Sequence, residues 1–405
     1  MRLSKALNIR CFLMSFRFLG ENKEGSTENR ICLKGYNFVY IDKEYNLEIM
    51  KYLSCNSFVI LFCMLTVFSS CVQKGVSNLA DWDRSFGDAR KLISKSCSDE
   101  ELILGHPFFM QYADSSLLIY DDIGDSLFLL LDLNDNNKVY RFGKKGEGSN
   151  EFLQVFAFCN MGSDSILGVY DTYKRDLREI NLCKVKRGNI DFPVVVKDTL
   201  SSINLSPTKY GTFLGLGFYE KSMLSLTGSS IGSKFFFEYP YQDDREKNIP
   251  NRLRGMAYQG TLCSNKSMDH FLYVVRSAPI FMLYSVEKDK IEKTYEWIGG
   301  YPEYKTEENE SWRAAPMSPD NKTAFIMAYA TNSYIYLLYS GKSIKEAGIG
   351  AFKANTVYRL SWEGKPNCKF ELDYPLTNFC VSDNDDVLYG LADKGETELI
   401  QYALK

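Results

Sequence analysis

The sequence predicts an all-β chain, a six-bladed β-propeller of four-stranded antiparallel blades over residues 100–405. Three observations lead there. Short apolar or alternating runs recur from Glu100 onward, broken by Gly, Asn, Asp and Ser. Tyr and Phe number 27 each, and many sit in those runs beside Val and Ile, as strand propensity favours. The runs group into a strand–turn–strand–turn–strand unit, and the span from Glu100 to Lys405 holds six such units of about 40–50 residues. No long stretch carries an i, i+3, i+4, i+7 apolar stripe, so helices should be few.

The first element in the chain is a leader. Met50-Lys51-Tyr52-Leu53 precedes an apolar run, Phe58–Phe68, of 11 residues, and Ser69-Ser70-Cys71 follows. A bilayer-spanning helix needs about 20 apolar residues, whereas the apolar core of a signal peptide has roughly 7–15. Residues 50–70 therefore read as a lipoprotein signal peptide, with Cys71 as the lipidated first residue of the mature chain. Residues 1–49 read as an over-extended start with no structure of their own, because an export signal acts at an N-terminus. Val72 to about Asp99 is polar and reads as a lipid-anchored tether, residues 71–99. Val72-Gln73-Lys74-Gly75 lacks an acidic cluster, which favours the periplasmic side of the envelope over the cell surface.

Expected strands within the propeller include Ser116–Tyr120, Ser126–Leu131, Lys138–Phe142, Ile166–Tyr170 and Leu177–Asn181. Thr212–Phe218, Lys234–Tyr239, His270–Arg276, Phe281–Val286 and Ile291–Trp297 follow, and the last third adds six more between Thr323 and Ala403. Asp114–Phe142 shows the repeat best, and Ser163–Leu182 and Ser382–Leu404 echo it. One blade cannot bury both faces of its sheet, but blades packed face to face can.

Charge excludes some partners. From Cys71 on, acidic residues slightly outnumber basic ones, so neither nucleic acid nor an anionic membrane surface attracts the chain in general. Six cysteines follow Cys71, with no CxxC and no compact spacing, and they read as small buried residues. An exported protein could pair them.

Arg141-Phe142-Gly143-Lys144-Lys145-Gly146-Glu147-Gly148-Ser149-Asn150-Glu151-Phe152 resembles the glycine-rich passage between blades in six-bladed, TolB-like propeller lipoproteins of Bacteroides-type bacteria. Ser149-Asn150 stands where that family has Pro-Gly. Ser318-Pro319-Asp320-Asn321-Lys322 resembles the Ser-Pro-Asp-Gly-Lys turn of TolB-type repeats. The resemblance spans residues 100–405 and implies the propeller architecture.

Catalytic patterns are weak. Gly143–Gly148 lacks a following helix and a Gly-Lys-Ser/Thr, so it reads as a blade crossing and not a phosphate cradle. Asp132–Asn137 has Asn at the sixth position and Gly143 at the twelfth, so a hairpin turn outranks a calcium loop, and Asp383–Asp386 reads likewise. His106 and His270 are the only histidines, too few for a His-rich metal centre. No cofactor or metal is expected. The candidate ligand-binding residues are His270 and Arg276, at the two ends of one expected strand, with Trp312 and Arg313 in the polar insert Gly299–Pro316. A Trp and an Arg on a loop can stack on a sugar or grip a carboxylate. The expected function is non-enzymatic binding of a glycan, peptide or envelope protein at one end of the propeller. A glycan hydrolase or lyase, and a scaffold in an envelope complex, are the alternatives.

Overall fold

The computed structural model describes residues 76–97, 102–135, 137–308 and 313–405. The leader at 50–70, the stretch 1–49, Cys71 and Trp312 lie outside the described residues. All described residues belong to one compact unit, Gly75–Lys405.

Six antiparallel blades follow one another. Blade 1 is Pro107–Ala113, Ser116–Ile123, Ser126–Asp132 and Lys138–Phe142. Blade 2 is Val155–Ser163, Ile166–Asp171, Asp176–Asn181 and Val194–Lys197. Blade 3 is Asn204–Pro207, Phe213–Leu216, Leu224–Gly228 and Gly232–Phe236, and blade 4 is Gly260–Ser264, His270–Val275, Ile280–Val286 and Ile291–Ile298. Lys322–Ala330, Tyr334–Ser343 and Ala354–Ser361 begin blade 5, and the long strand Pro366–Val381 completes it and then opens blade 6. Val387–Asp393 and Thr397–Ala403 continue blade 6. The first strand of each blade neighbours the first strand of the next, and the sixth neighbours the first, so these innermost strands run round a complete ring.

Period-two alternation builds the walls between blades. In blade 1, Leu117, Ile119, Leu129 and Leu131 pack toward blade 6, while Leu118, Phe128 and Leu130 pack with Val155, Leu167 and Ile180 of blade 2. Both faces are buried, which is why these strands read as nearly unbroken apolar runs. Tight turns supply the reversals: Asp114 and Ser115 take φ of 48° and 50°, the positive-φ pair of a two-residue hairpin.

The glycine-rich passage crosses from blade 1 to blade 2. Gly143 and Gly146 have φ of 73° and 155°, a region open chiefly to glycine. Glu151 folds back over the passage and accepts the Gly148 N–H at 2.8 Å. A Cβ at Gly146 or Gly148 would overlap that carboxylate. The crossing therefore holds a carboxylate of its own chain.

The tether reading is corrected over residues 76–97. The helix Leu79–Arg84, capped by Asn78, sets Trp82 between blades 4 and 5. Arg90–Leu92 then pairs in parallel with the blade 5 part of Pro366–Val381, and Lys95–Ser96 pairs with Thr397–Ala403 as the fourth strand of blade 6. Trp82, Phe86, Leu92 and Cys97 are all buried. Their apolar surface and the open edge of blade 6 cover each other, so the segment belongs to the ring.

The other correction is at the ring's inner wall. Pro107–Ala113, Val155–Ser163, Asn204–Pro207 and Gly260–Ser264 are innermost strands that the sequence pattern does not announce, as are the outer strands Leu224–Gly228 and Val194–Lys197. The repeat unit read from sequence starts at the second strand of each blade.

Candidate functional site

A propeller has two ends. One carries the turns from first to second and from third to fourth strands, here called the hairpin end. The other carries the second-to-third turns and the passages between blades, the crossing end.

The hairpin end is tied shut by ion pairs and amide bonds between blades. Lys266 of blade 4 meets Asp164 of blade 2 at 2.7 Å and also pairs with Asp383 of blade 6. Ser267 bonds Asn332 of blade 5 through its N–H and its hydroxyl, each at 3.1 Å. Asp269 accepts from Lys209 of blade 3 at 2.6 Å and from the Asn265 amide at 2.8 Å. Burial opposes ionisation of Asp269, but hydrogen bonds from Lys209, His270 and Asn265 outweigh it and hold its carboxyl well below the usual range.

His270 stands at this end. Its Nδ1 lies 2.8 Å from Asp269, and its ring sits 5.6 Å from that of Trp362. The histidine is thus one strut of the tied end. The Asp383–Asp386 turn has its carboxylates engaged as well: Asp385 accepts from Thr331 and Tyr336 at 2.8 Å each. Asp132 pairs with Lys186 at 2.6 Å. No cluster of three metal-ligating side chains occurs among the described residues.

Between inner strands of the blades lies a small cavity, with Gln111, Asn160, Ser206, Ser264, Cys159 and Cys263 beside Phe158, Leu262, Tyr329 and Ala330, and with room for about one water. Asn160 spans it, donating to the Ser264 and Asn265 carbonyls of blade 4 at 3.3 and 3.1 Å. Burial pushes the thiols of Cys159 and Cys263 up to about 12, away from the thiolate a nucleophile needs.

The crossing end differs in character. Phe108 and Phe156, near the starts of the innermost strands of blades 1 and 2, are 62% and 57% exposed. Tyr173, Ile349 and Phe352 on other loops of this end are exposed too. Arg276 follows the second strand of blade 4. Its N–H donates to Gln259 at 3.0 Å and its carbonyl accepts from Ala324 at 2.7 Å, so its backbone is wedged between the inner strands of blades 4 and 5. The residue is exposed, yet surrounding protein desolvates its guanidinium and lowers its pKa. Its guanidinium has no hydrogen-bond or ion-pair partner among the described residues.

The insert after blade 4 lies on the same end, and its hairpin pairs Glu307–Glu308 with Arg313–Ala314. Tyr304 of the insert and Tyr258 both donate to Glu246 at 2.8 Å, which locks the insert to the helices Asp244–Lys247 and Asn251–Ala257. Of the residues singled out from sequence, Arg276 and Arg313 share the crossing end and His270 sits at the opposite one. Phe108 and Phe156 were not singled out. Each reads as one more aromatic of a strand, and only the ring's geometry leaves it uncovered.

Several solved structures are similar to this chain. A Bacteroides fragilis protein described as exported has 10% identity and a TM-score of 0.48, covering 77% of this chain and 94% of that one. A DUF4221-family protein from Bacteroides vulgatus has 12% identity and a TM-score of 0.48 over 78% and 97%. A calcium-binding protein, regucalcin, from Agrobacterium tumefaciens has 9% identity and a TM-score of 0.43 over 78% and 95%. A search of curated protein sequences finds no match. The model of a TolB-like 6-blade propeller-like family matches residues 85–384, and with six blades in a complete ring the chain belongs to the TolB-like six-bladed propeller family.

Proposed function

We propose that this protein is a non-enzymatic binding protein of the bacterial cell envelope, anchored through lipid on Cys71, whose ligand seats at the crossing end of the channel. The observation that carries this reading is the pair of exposed rings, Phe108 and Phe156, at the end where Arg276 is also exposed and has no hydrogen-bond or ion-pair partner among the described residues. An exposed guanidinium without a counter-ion of its own chain is free to pair with an anionic group of a ligand. The exposed rings of Phe108 and Phe156 give the same end apolar contact area. At the hairpin end, by contrast, the ionisable groups Lys266, Asp164, Asp383, Asp269 and Lys209 are spent on one another.

A thermal-shift screen of glycans and peptides tests the reading. A bound ligand should lose at least tenfold in affinity in a Phe108→Ala, Phe156→Ala double variant, whose side chains are already exposed and whose folding should be unchanged. A ligand indifferent to both changes, or turnover of any glycan, would count against it. Lipidation has its own readout. Protein recovered from membranes should give a diacylated peptide beginning at Cys71 and none from residues 1–49, and Cys71→Ala should leave it unprocessed.

A further inference from the structure

We infer that blade 5 carries a membrane-docking loop, Ile344 to Phe352, through which one side of the crossing end rests on the bilayer that holds Cys71. This rests on the lipid anchor proposed above. It goes beyond the ligand reading by giving a second partner, lipid, to a different side of the ring.

The loop joins the second and third strands of blade 5, so it stands at the crossing end. Ile344, Ile349 and Phe352 are 49%, 78% and 40% exposed. The backbone beneath them is firmly built. Ser343 and Glu346 cap its first turn reciprocally, and the Lys345 N–H donates to the Pro319 carbonyl at 3.0 Å. The Ser340 hydroxyl donates to the Ala351 carbonyl at 2.7 Å, and Ala351 is fully buried, which pins the second half. Apolar tips held on a preformed frame lose little conformational freedom on being covered.

The route of the chain says what covers them. The Ser77 N–H donates to the carbonyl of Ile298, the last residue of the fourth strand of blade 4, at 2.8 Å. Gly299 donates in turn to Pro279, in the second-to-third turn of the same blade, at 2.8 Å. Ser77 therefore lies at the crossing end, and the helix Leu79–Arg84 follows it in between blades 4 and 5. The chain arrives beside the blade that carries the loop. Cys71 stands five positions (76 − 71) before Val76. Five residues reach at most about 18 Å when fully extended. So short a leash keeps this side of the crossing end at the lipid surface, where Val76, 52% exposed, adds apolar area. Blade 2, which carries Phe156, is three places round the ring, so that side stays open to a ligand.

Charge near the loop is matched within the chain. Lys345 meets Asp320 at 2.7 Å, Lys353 pairs with Asp393, and Glu346 is held in the cap. The contact is therefore apolar insertion at the boundary of headgroups and acyl chains, and not attraction to anionic lipid.

The test uses the full-length lipidated protein in vesicles of phosphatidylethanolamine and phosphatidylglycerol. A polarity-sensitive dye is placed on Ile349→Cys. Controls carry it on Tyr173→Cys, in blade 2 at the same end, and on Tyr210→Cys at the hairpin end, with the parent protein giving the background of its own thiols. Lipids bearing a quencher high on the acyl chain should quench the Ile349→Cys dye several-fold more than either control, and added salt should not reverse it. With the dye on Lys345→Cys instead, Ile349→Asp should cut the quenching several-fold. That variant should unfold at the parent's temperature, since the side chain it replaces is exposed. No quenching at Ile349→Cys, equal quenching at either control, or release by salt would overturn the inference. Self-association in detergent that Ile349→Asp abolishes would also overturn it, by assigning the loop to a second copy of the chain. Protein that floats with the vesicles without being quenched overturns the docking loop alone, whereas protein that does not float overturns the anchor with it.

Discussion

A chain that begins at residue 99 should fail to form the monomeric ring, and should elute from a sizing column as soluble aggregate or be lost to the pellet. Residues 76–97 bring Trp82 and Phe86 into the cluster shared by blades 4 and 5, and Leu92 and Cys97 into the cluster shared by blades 5, 6 and 1. They also supply the partner of Thr397–Ala403, where Lys95 opposes Gln401 and Ser96 opposes Ile400. Without them a buried strand becomes an edge with unpaired N–H and C=O groups, a template for another copy. A single substitution isolates the packing part. Trp82 is 7% exposed, and its ring stacks on Trp297 with centroids 4.5 Å apart while touching Phe86 and Tyr358 at 4.8 and 4.6 Å. Trp82→Ala should therefore cost about 3–5 kcal/mol in urea unfolding. Trp82→Phe should cost less than half of that, because the indole N–H has no hydrogen-bond partner to lose. An unchanged midpoint in the alanine variant would show that the segment rides on the ring without holding it.

The second large effect concerns the fully buried carboxylate of Asp176. Arg178 grips it with two donors, at 2.9 and 3.0 Å, and Lys197 adds a third at 2.8 Å. Arg178 also donates to the Ser149 carbonyl and lies over the Phe152 ring, so it fastens the glycine-rich crossing to blade 2. Asp176→Ala leaves the Arg178 guanidinium buried without its charge partner, and should cost about 3–5 kcal/mol. Burial works against ionisation of Asp176, but Arg178 and Lys197 overcome it and hold its carboxyl below the ordinary value of about 3.9. A carboxyl depressed in the folded state stabilises fully above its unfolded pKa and loses that contribution as pH falls through the folded one. The gap in urea midpoint between the parent and Asp176→Ala should therefore stay constant from pH 7 to about 5 and narrow below pH 4. A gap that does not narrow in acid would mean that the substitution acts through lost volume and not through charge.

Strands lying between blades were legible in the sequence because burial on both faces writes long apolar runs. Ser126–Leu131 matches the structure to within a residue. Innermost strands were not, apart from Lys322–Ala330 of blade 5. Their edge borders the channel, so they carry Gln111, Asn160, Ser206 and Ser264 among their apolar residues, and one ends in Pro207, which interior strands avoid. The closing strand Lys95–Ser96 has only two residues and a partner about three hundred positions away, so no local period marks it. At the candidate site, Arg276 and His270 stood out as ionisable residues at the ends of one apolar run. That run crosses the ring from the hairpin end to the crossing end, and so assigns one residue to the tied end and the other to the open one. Exposure of Phe108 and Phe156 follows from where blades 1 and 2 begin, which hydropathy does not encode.

Blade 6 is a seam between the beginning and the end of the chain, and a seam imposes an order in time. Residues that leave the ribosome early wait for Thr397–Ala403, which comes last, and holding ends so far apart costs about 5 kcal/mol of chain entropy. Until then the molecule is an open fan of blades. Once closed, the seam also defines how the fold bears load. Tension applied ahead of Val76 meets the buried Trp82 before it reaches the two-residue strand, so aromatic packing stands in series in front of a short pairing. Mechanically the propeller is a loop of rope with its knot placed upstream of its splice.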